Sequence, residues 1–248
     1  MEDAEFTTWL TAELASLPSV AAVALGGSRA RGEHDRDSDW DFAVYYRGRF
    51  EPDQLRAKGW EGEVTEIGGW GGGVMNGGAW LHLDGRRVDV HYRDLDEVDH
   101  WCAQARAGRF RKELLLFYVA GIPTYVVMAE LALNTVLAGE LHRPSYPDLL
   151  AREAARRWRD DALASLDNGE SALRRRADAT VAVANAARGL IEGAHGRLAG
   201  RREWVLNEKG MVARAGLGDE AEALVDASGP SELLVALAWI RARLHDGD

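Results

Sequence analysis

The stretch GGSRARGEHDRDSDWDFAVYY, residues 26–46, decides how the first part of the chain folds. The short apolar run before it, Val20 to Leu25, ends at two glycines, which is the pattern of a buried strand that enters a tight turn. Apolar side chains then recur at every second position from Trp40 to Tyr46, which predicts a second strand with one buried face. Asp39 and Asp41 therefore project together from the opposite face of that strand.

A later hairpin brings a third aspartate to the predicted sheet. The segments WLHL and RRVDVHY flank the dipeptide Asp84-Gly85, whose residues tolerate the positive φ angles of a two-residue hairpin turn. The apolar residues of the second segment share one face, so Asp89 and His91 lie on the opposite face. A further extended segment is predicted near Val64 to Ile67, ahead of a glycine-rich stretch.

The type and order of these residues indicate a site for metal ions and phosphates. Two carboxylates at positions i and i+2 of a strand project side by side, and Asp89 on another strand completes a set of oxygen ligands. Mg²⁺ binds one or two carboxylates together with waters and phosphates, so three aspartates suit two ions shared with a triphosphate. Gly27 allows the backbone to approach phosphate oxygens, and the Ser28 hydroxyl donates to them.

Other residues near this site have two interpretations each. Arg29 and Arg31 either bond to the phosphate oxygens or pair with the acids of the segment EHDRDSD. His91 either supports the aspartates from outside the ligand set or hydrogen-bonds within the sheet, and we do not predict it as a metal ligand. The glycine-rich stretch GGWGGGVMNGGAW either folds over the nucleotide or acceptor with a tryptophan stacking on it, or forms a surface loop with core tryptophans.

Composition restricts the classes of function. The chain has 248 residues and a net charge of −10, and residues 1–100 carry twenty acidic and ten basic side chains, whereas residues 101–248 carry twenty of each. This balance disfavours long nucleic acid as a partner, because holding its phosphates requires clustered Lys and Arg. The single cysteine, Cys102, cannot form an internal disulfide, and the apolar runs are too short to cross a bilayer, so we expect a cytoplasmic protein with no membrane partner.

The chain is predicted to have two domains and to belong to the α+β class. Strand signals stop near Asp94, so residues 1–100 form a domain with a small mixed β-sheet that carries the candidate site. Residues 101–248 form an all-α helical domain of roughly five or six helices. Gly169 is among the residues predicted to end a helix.

The segment GGSRARGEHDRDSDWDFAVYY resembles the signature of the DNA polymerase β-like nucleotidyltransferase superfamily. In that superfamily a Gly-Ser turn is followed after roughly ten residues by an Asp-x-Asp strand. The segment RRVDVHY resembles its third-carboxylate strand. The resemblance implies a palm-like catalytic domain in which Gly27 and Ser28 hold the triphosphate and Asp39, Asp41 and Asp89 bind two Mg²⁺ ions.

The helical half resembles the small-molecule branch of that superfamily, the aminoglycoside and lincosamide nucleotidyltransferases. The resemblance implies that residues 101–248 form an acceptor-binding domain. It also implies that a nucleoside monophosphate, by default AMP from ATP, passes to an acceptor hydroxyl with release of pyrophosphate. An aminoglycoside-like antibiotic is a specific hypothesis for the acceptor, because an acidic cleft concentrates a polycation.

Two residues of the helical half are candidates for this reaction. Glu130 lies on a helix predicted from about Pro123 to Leu137. It is a candidate catalytic base, as Asp89 is, and the alternative is a helix-face glutamate with a salt-bridge partner. Lys209, in the segment WVLNEKG, is a candidate phosphate ligand, as Arg31 is. The alternative for Lys209 is a surface lysine. That segment also resembles one in uncharacterised bacterial members of the superfamily.

Other functions fit parts of the sequence. A polymerase-like enzyme that extends RNA conflicts with the acidic balance, and the smallest antitoxins that modify a protein partner lack the helical half. A non-catalytic nucleotide-binding module is disfavoured because all three aspartates are present. Arg188 and His195, six intervening residues apart, resemble the Arg-to-His motif of helical ribonucleases, although Gly189 follows the arginine where a polar residue is usual. A polar helix stripe is the alternative.

Overall fold

The structure, a computed structural model, describes residues 1–35 and 38–245. Strands and helices alternate in the first part of the chain, and helices follow one another in the last part. The elements are α1 (Asp3–Ala15), β1 (Val20–Leu25), α2 (Gly27–Arg31), β2 (Trp40–Tyr46), α3 (Pro52–Arg56), β3 (Glu61–Val64), β4 (Gly78–Leu83), β5 (Arg86–Asp94), α4 (Leu95–Arg106), β6 (Lys112–Glu113), β7 (Ile122–Pro123), α5 (Val126–Leu133), β8 (Thr135–Gly139), α6 (Asp148–Arg176), α7 (Ala179–Gly200), α8 (Met211–Arg214), α9 (Gly218–Asp226) and α10 (Pro230–His245). The predicted α+β class, a small mixed sheet followed by helices, is confirmed.

The chain divides into two compact units that are interleaved in sequence. The first unit contains Met1–Ala103 and Thr124–Ser145, and the second contains Gln104–Pro123 and Tyr146–Asp248. This division differs from the predicted boundary at residue 100, because the segment from Thr124 returns to the first unit, where β8 pairs antiparallel with β1. The catalytic and acceptor-binding roles predicted for the two halves stay predictions.

The expectation of helices alone after Asp94 was wrong at β8 and at the two-residue strands β6 and β7, which pair with each other. The helix predicted to reach Leu137 ends at Leu133, and Asn134, with φ −71° and ψ 165°, already has an extended backbone. The β-branched residues Thr135 and Val136 follow, and they favour a strand over a helix. A five-residue strand is too short to show a period of its own beside a long helical pattern.

A six-stranded mixed sheet forms the first unit, in the order β3-β4-β5-β2-β1-β8. At its centre β2 and β5 run parallel, and every other neighbouring pair is antiparallel. The predicted hairpin is confirmed as β4 and β5, with φ of 49° at Asp84 and 72° at Gly85. The segment predicted near Val64 to Ile67 is displaced, since β3 occupies Glu61–Val64.

One face of this sheet carries the apolar core of the first unit. The alternating apolar residues of β2 and β5 are buried together with Phe6, Leu10 and Leu14 of α1. Each fully buried side chain of this size contributes about 1.5–3 kcal/mol. A one-residue shift of β2 would expose its apolar residues and bury Asp41, so this burial fixes which face the aspartates occupy.

Helices α6 and α7 pack against each other along the second unit, and small residues allow the close approach. A Cβ built on Gly169 would lie 3.1 Å from the carbonyl oxygen of Ala182, and one on Gly189 would lie 3.0 Å from that of Ala162. The prediction that Gly169 ends a helix was therefore wrong, because that glycine lies inside α6 where α7 contacts it. Across residues 1–35 and 38–245, the helices are too short or too polar to span a bilayer.

Candidate active site

Asp41 and Asp89 lie side by side near the centre of the sheet. They are direct partners in the parallel register of β2 and β5. Both side chains are partly exposed on the face opposite the core. A carboxylate oxygen of each and a ring nitrogen of His91 lie within 4.8 Å of one another, an arrangement that can hold a metal ion. The structure therefore brings together two of the three predicted aspartates, and it adds a histidine that was not predicted as a ligand.

Asp39 occupies a different position from the other two aspartates. It comes directly before β2, and its Oδ1 accepts a hydrogen bond of 2.5 Å from Nε of Arg87. Asp39 and Asp89 nevertheless line the same open cleft of about 380 Å³, together with Trp80 and His82. A metal-binding role for Asp39 stays a prediction, and it requires the carboxylate to exchange Arg87 for a cation.

Replacing Arg87 with glutamine is expected to raise the affinity of the protein for a divalent cation two- to fivefold. Both side chains of the Asp39–Arg87 pair are more than 40% exposed, and such pairs contribute at most about 1 kcal/mol, which corresponds to about fivefold. Titration calorimetry with Mg²⁺ measures the change. Arg47→Gln is the matched control, because this exposed arginine pairs with Asp96 and Asp99. Weaker binding in Arg87→Gln than in Arg47→Gln would contradict the expectation.

Gly27 packs directly against Asp41. Its backbone has a φ of 61°, and a Cβ built there would lie 1.7 Å from Oδ2 of Asp41. The preceding Gly26 donates its N–H to the carbonyl oxygen of Asp41 at 2.7 Å, which ties the turn to β2. Ser28 follows as the second residue of α2. A glycine is required at position 27 because the turn passes this close to the carboxylate.

Gly27→Ala is expected to lower any activity at this site about a hundredfold, because displacing a reacting group by about 1 Å has an effect of that size. Gly32→Ala is the matched control, since Gly32 has a φ of 69° and no described atom lies within 4 Å of its added Cβ. Gly32→Ala should lose about 1–2 kcal/mol of unfolding free energy through the left-handed backbone, and Gly27→Ala should lose at least as much, because its Cβ also displaces Asp41. Equal activity in the two variants would show that the contact with Asp41 is unimportant.

His91 sits between the aspartates and the glycine-rich loop. Its Nε2 is 4.0 Å from Oδ1 of Asp41, which exceeds hydrogen-bonding distance, and its buried Nδ1 has no hydrogen-bond partner among the described residues. The Trp70 ring meets the imidazole edge-on with centroids 5.2 Å apart. Burial, together with the charge of Arg93, lowers the pKa of His91 to about 4, so the ring is neutral at pH 7.

The glycine-rich loop places Trp70 against the sheet. Trp70 stacks on Trp80 with centroids 4.8 Å apart, and a Cβ on Gly78 would lie 2.3 Å from the Trp70 ring. Trp70 is half-buried against the site face of the sheet and not in the apolar core, and Trp80 is 41% exposed beside the cleft. Stacking of a nucleobase or acceptor on Trp80 stays a prediction.

Glu130 is held by a buried arginine. Arg93, only 2% exposed, donates from Nε and Nη2 to the two carboxylate oxygens of Glu130, each at 2.6 Å. Burial would raise the pKa of Glu130, but the charge and hydrogen bonds of Arg93 outweigh it and hold the pKa below its usual value. A carboxylate stabilised in this way is a weak proton acceptor. The geometry fits the salt-bridged alternative, and the role as base stays a prediction.

Arg29 and Arg31 contact the acidic segment that follows them. Nη2 of Arg29 donates to the carbonyl oxygen of Ser38 at 2.9 Å, and Nε of Arg31 donates to Glu33 at 2.7 Å. Residues 36 and 37 of that segment lie outside the described residues. A phosphate-binding role for Arg31 stays a prediction that requires it to leave Glu33.

In the second unit, the segment WVLNEKG has a structural role that the sequence did not reveal. The carboxylate of Glu208 accepts hydrogen bonds from the backbone N–H groups of Val119 and Ala120, both at 2.8 Å. Lys209 follows it in the loop before α8, and its N–H donates to Oδ1 of Asn207. A phosphate-binding role for Lys209 stays a prediction.

Of the stripe from Arg188 to His195, Glu192 and His195 are buried in the second unit, whereas the Arg188 side chain is 42% exposed. Glu192 is 1% exposed and pairs with both Arg188 and Lys112. The His195 ring is 3% exposed and stacks on Trp158 with centroids 4.2 Å apart, and burial lowers its pKa to about 3. A buried neutral histidine cannot exchange protons with RNA in solution, so this geometry argues against the ribonuclease alternative.

One known family model matches the part of the chain that carries the glycine turn and the first two aspartates. Residues 8–71 match the family model of the nucleotidyltransferase domain, a segment that contains Gly27, Ser28, Asp39 and Asp41 and ends before Asp89. Residues 8–71 therefore match a nucleotidyltransferase domain, as the motif predicted, and this match supports a transferase of nucleotidyl groups.

A solved structure shows a weak overall similarity to the chain, whereas no curated protein does. A nucleotidyltransferase-like protein from Exiguobacterium sibiricum 255-15 is similar in structure, with 14% sequence identity and a TM-score of 0.47 over 98% of this chain and 74% of that chain. No curated protein sequence matches the chain.

Proposed function

We propose that this protein transfers a nucleoside monophosphate, by default AMP from ATP, to a hydroxyl of a small molecule and releases pyrophosphate. The observation that carries the proposal is the alignment of Asp41 with Asp89 on neighbouring parallel strands, with Gly27 packed against Asp41. Carboxylates paired in this way beside a glycine turn suit a nucleoside triphosphate bound through divalent cations.

The donor set fits the divalent cations that such a reaction requires. Asp41 and Asp89 offer partly exposed carboxylates, and Asp39 joins them once it leaves Arg87, so three carboxylates would hold the two Mg²⁺ ions that the sequence suggests. When bound, such ions neutralise charge on the attacking and leaving oxygens of an in-line displacement.

The chain's own groups would position the reactants and move the proton. Gly27 and Ser28 would hold the triphosphate, with Arg31 and Lys209 as further phosphate ligands. As the acceptor oxygen forms its bond to the α-phosphorus and the bond to pyrophosphate breaks, the acceptor proton would pass to Asp89. Asp89 suits this role better than Glu130, because both oxygens of Glu130 are bonded to Arg93.

The excess of acidic residues in the first part of the chain is the basis for the proposed acceptor. Acidic residues outnumber basic ones two to one in residues 1–100, which favours a polycationic small molecule such as an aminoglycoside over RNA. We assign acceptor recognition to the helical part of the chain. The corresponding biological role is antibiotic resistance, and the location is the cytoplasm, where nucleoside triphosphates are available.

Incubation with Mg²⁺, and separately with Mn²⁺ or Co²⁺, and each of four nucleoside triphosphates tests the proposal. The acceptor panel would contain aminoglycosides, lincosamides, RNA and proteins, and pyrophosphate release and acceptor mass would be followed. A mass gain of one nucleoside monophosphate on a small molecule is expected. The same gain on RNA or a protein would reject the small-molecule acceptor, and no metal-dependent pyrophosphate release with any acceptor would reject catalysis.

A further inference from the structure

We propose that His91 is a metal ligand, and that the site it forms with Asp41 and Asp89 selects a first-row transition-metal ion over Mg²⁺. The inference rests on the proposed function, because it concerns the ion that the same site uses. The site differs from an all-carboxylate site because His91 of β5 contributes an imidazole nitrogen.

The distances fit one ion shared by the three side chains. Bonds from a small divalent ion to oxygen or nitrogen are about 2.0–2.2 Å long, so two ligands of the same ion lie roughly 3–4.4 Å apart. Nε2 of His91 and Oδ1 of Asp41 are 4.0 Å apart, which is too far for a hydrogen bond and within that range. The ligand atoms of all three residues lie within 4.8 Å of one another, so a shift of a few tenths of an ångström brings every pair into that range.

The sheet and the loop hold the imidazole in this position. Asp89 and His91 are two residues apart on β5 and therefore share its polar face. The partner of His91 on β2 is Ala43, whose small side chain leaves room for the ring. Trp70 contacts the ring edge-on, and Gly78 makes space for that tryptophan. The ring is thus fixed before any ion binds, which lowers the entropic cost of ligation.

The nitrogen ligand determines which ions the site favours. Mg²⁺ is a hard ion that binds oxygen and retains several waters, whereas ions from Mn²⁺ to Zn²⁺ accept imidazole with affinities that rise along the series towards Cu²⁺. Two carboxylates would bind either kind of ion, so the preference depends on His91. Removing the imidazole should weaken transition-metal binding strongly and Mg²⁺ binding little.

Pulsed electron paramagnetic resonance of Mn²⁺ bound to the unaltered protein tests ligation directly. A nitrogen coupling from a directly bound imidazole is expected, and its absence from a protein that binds Mn²⁺ would overturn the inference. This measurement needs no variant, so it does not depend on the folding of an altered chain.

Competition between Co²⁺ and Mg²⁺ tests selectivity. In His91→Gln the ratio of Co²⁺ to Mg²⁺ affinity should fall about tenfold or more, the size expected when one interaction at a metal site is lost. His100→Gln is the matched control, because His100 is an exposed residue of α4 in the same unit. An unchanged ratio in His91→Gln would overturn the inference.

The outcomes separate this inference from the proposed function. If Mn²⁺ binds through Asp41 and Asp89 with no nitrogen coupling and pyrophosphate is released, the enzyme proposal stands and the ligand assignment fails. If nitrogen coupling is present but no nucleotide is transferred to any acceptor, the metal assignment stands and the proposed function fails.

Discussion

Asp41→Asn is expected to lower the rate of nucleotidyl transfer about a thousandfold. Asp41 is the aspartate that both Gly27 and His91 approach, and it is aligned with Asp89 on the neighbouring strand. Asparagine keeps the shape of the side chain but removes the charge that holds a divalent cation. A cation contributes several kcal/mol to the transition state, and 1.36 kcal/mol corresponds to a factor of ten in rate.

The measurement is pyrophosphate release at saturating triphosphate and metal concentrations. Asp53→Asn is the matched control, since Asp53 is an exposed carboxylate of α3 in the same unit. Its rate should equal that of the unaltered protein, and both variants should keep the unfolding midpoint within a few degrees. Less than tenfold loss in Asp41→Asn would remove Asp41 from the reaction.

Arg93→Met is expected to lower the free energy of unfolding at pH 7 by about 3 kcal/mol. The change removes the buried guanidinium and leaves Glu130 as a carboxylate without its bidentate partner. Breaking a buried pair in this way costs about 3–5 kcal/mol, and the 20% exposure of Glu130 favours the lower end. Urea unfolding monitored by tryptophan fluorescence measures the loss.

The pH dependence and a double variant identify the cause of that loss. Arg93 keeps the pKa of Glu130 below its unfolded value of about 4.3, so the pair stabilises the fold fully above that pH and loses its contribution as the pH falls through the folded pKa. Without Arg93, burial raises the pKa of Glu130, and its protonation should shrink the stability difference as the pH falls from 7 towards 4. Arg93→Met combined with Glu130→Met should recover most of the loss, and no recovery would contradict the pair as the cause.

Local periodicity was enough to predict the site face of the sheet. The alternation in β2 and β5 placed Asp41, Asp89 and His91 opposite the core, and the Asp84-Gly85 turn fixed the hairpin. It did not distinguish a ligand from a neighbour. Whether Asp39 or His91 lies closer to Asp41 depends on how β2 and β5 pair. The paired residues of these strands are 48 positions apart in the chain, so no local spacing fixes their register.

The partners of charged residues were the main part that the sequence could not supply. Glu130 is 37 residues from Arg93, and Glu208 is 88 residues from the N–H of Ala120, so no local spacing links either pair. Glycines were ambiguous for a related reason. Gly169 has the same local sequence signal as a helix terminus, and only the approach of α7 shows that it is a packing contact.

The return of β8 to the sheet bears on the order in which the protein can fold during synthesis. The polypeptide passes from one unit to the other three times, at residues 103, 123 and 145. The nascent sheet acquires its last edge strand only after Gly139 has left the ribosome, by which time the first part of the other unit has already emerged. A chain cut after residue 100 would lack that strand, and the open edge of β1 would be free to pair with another chain.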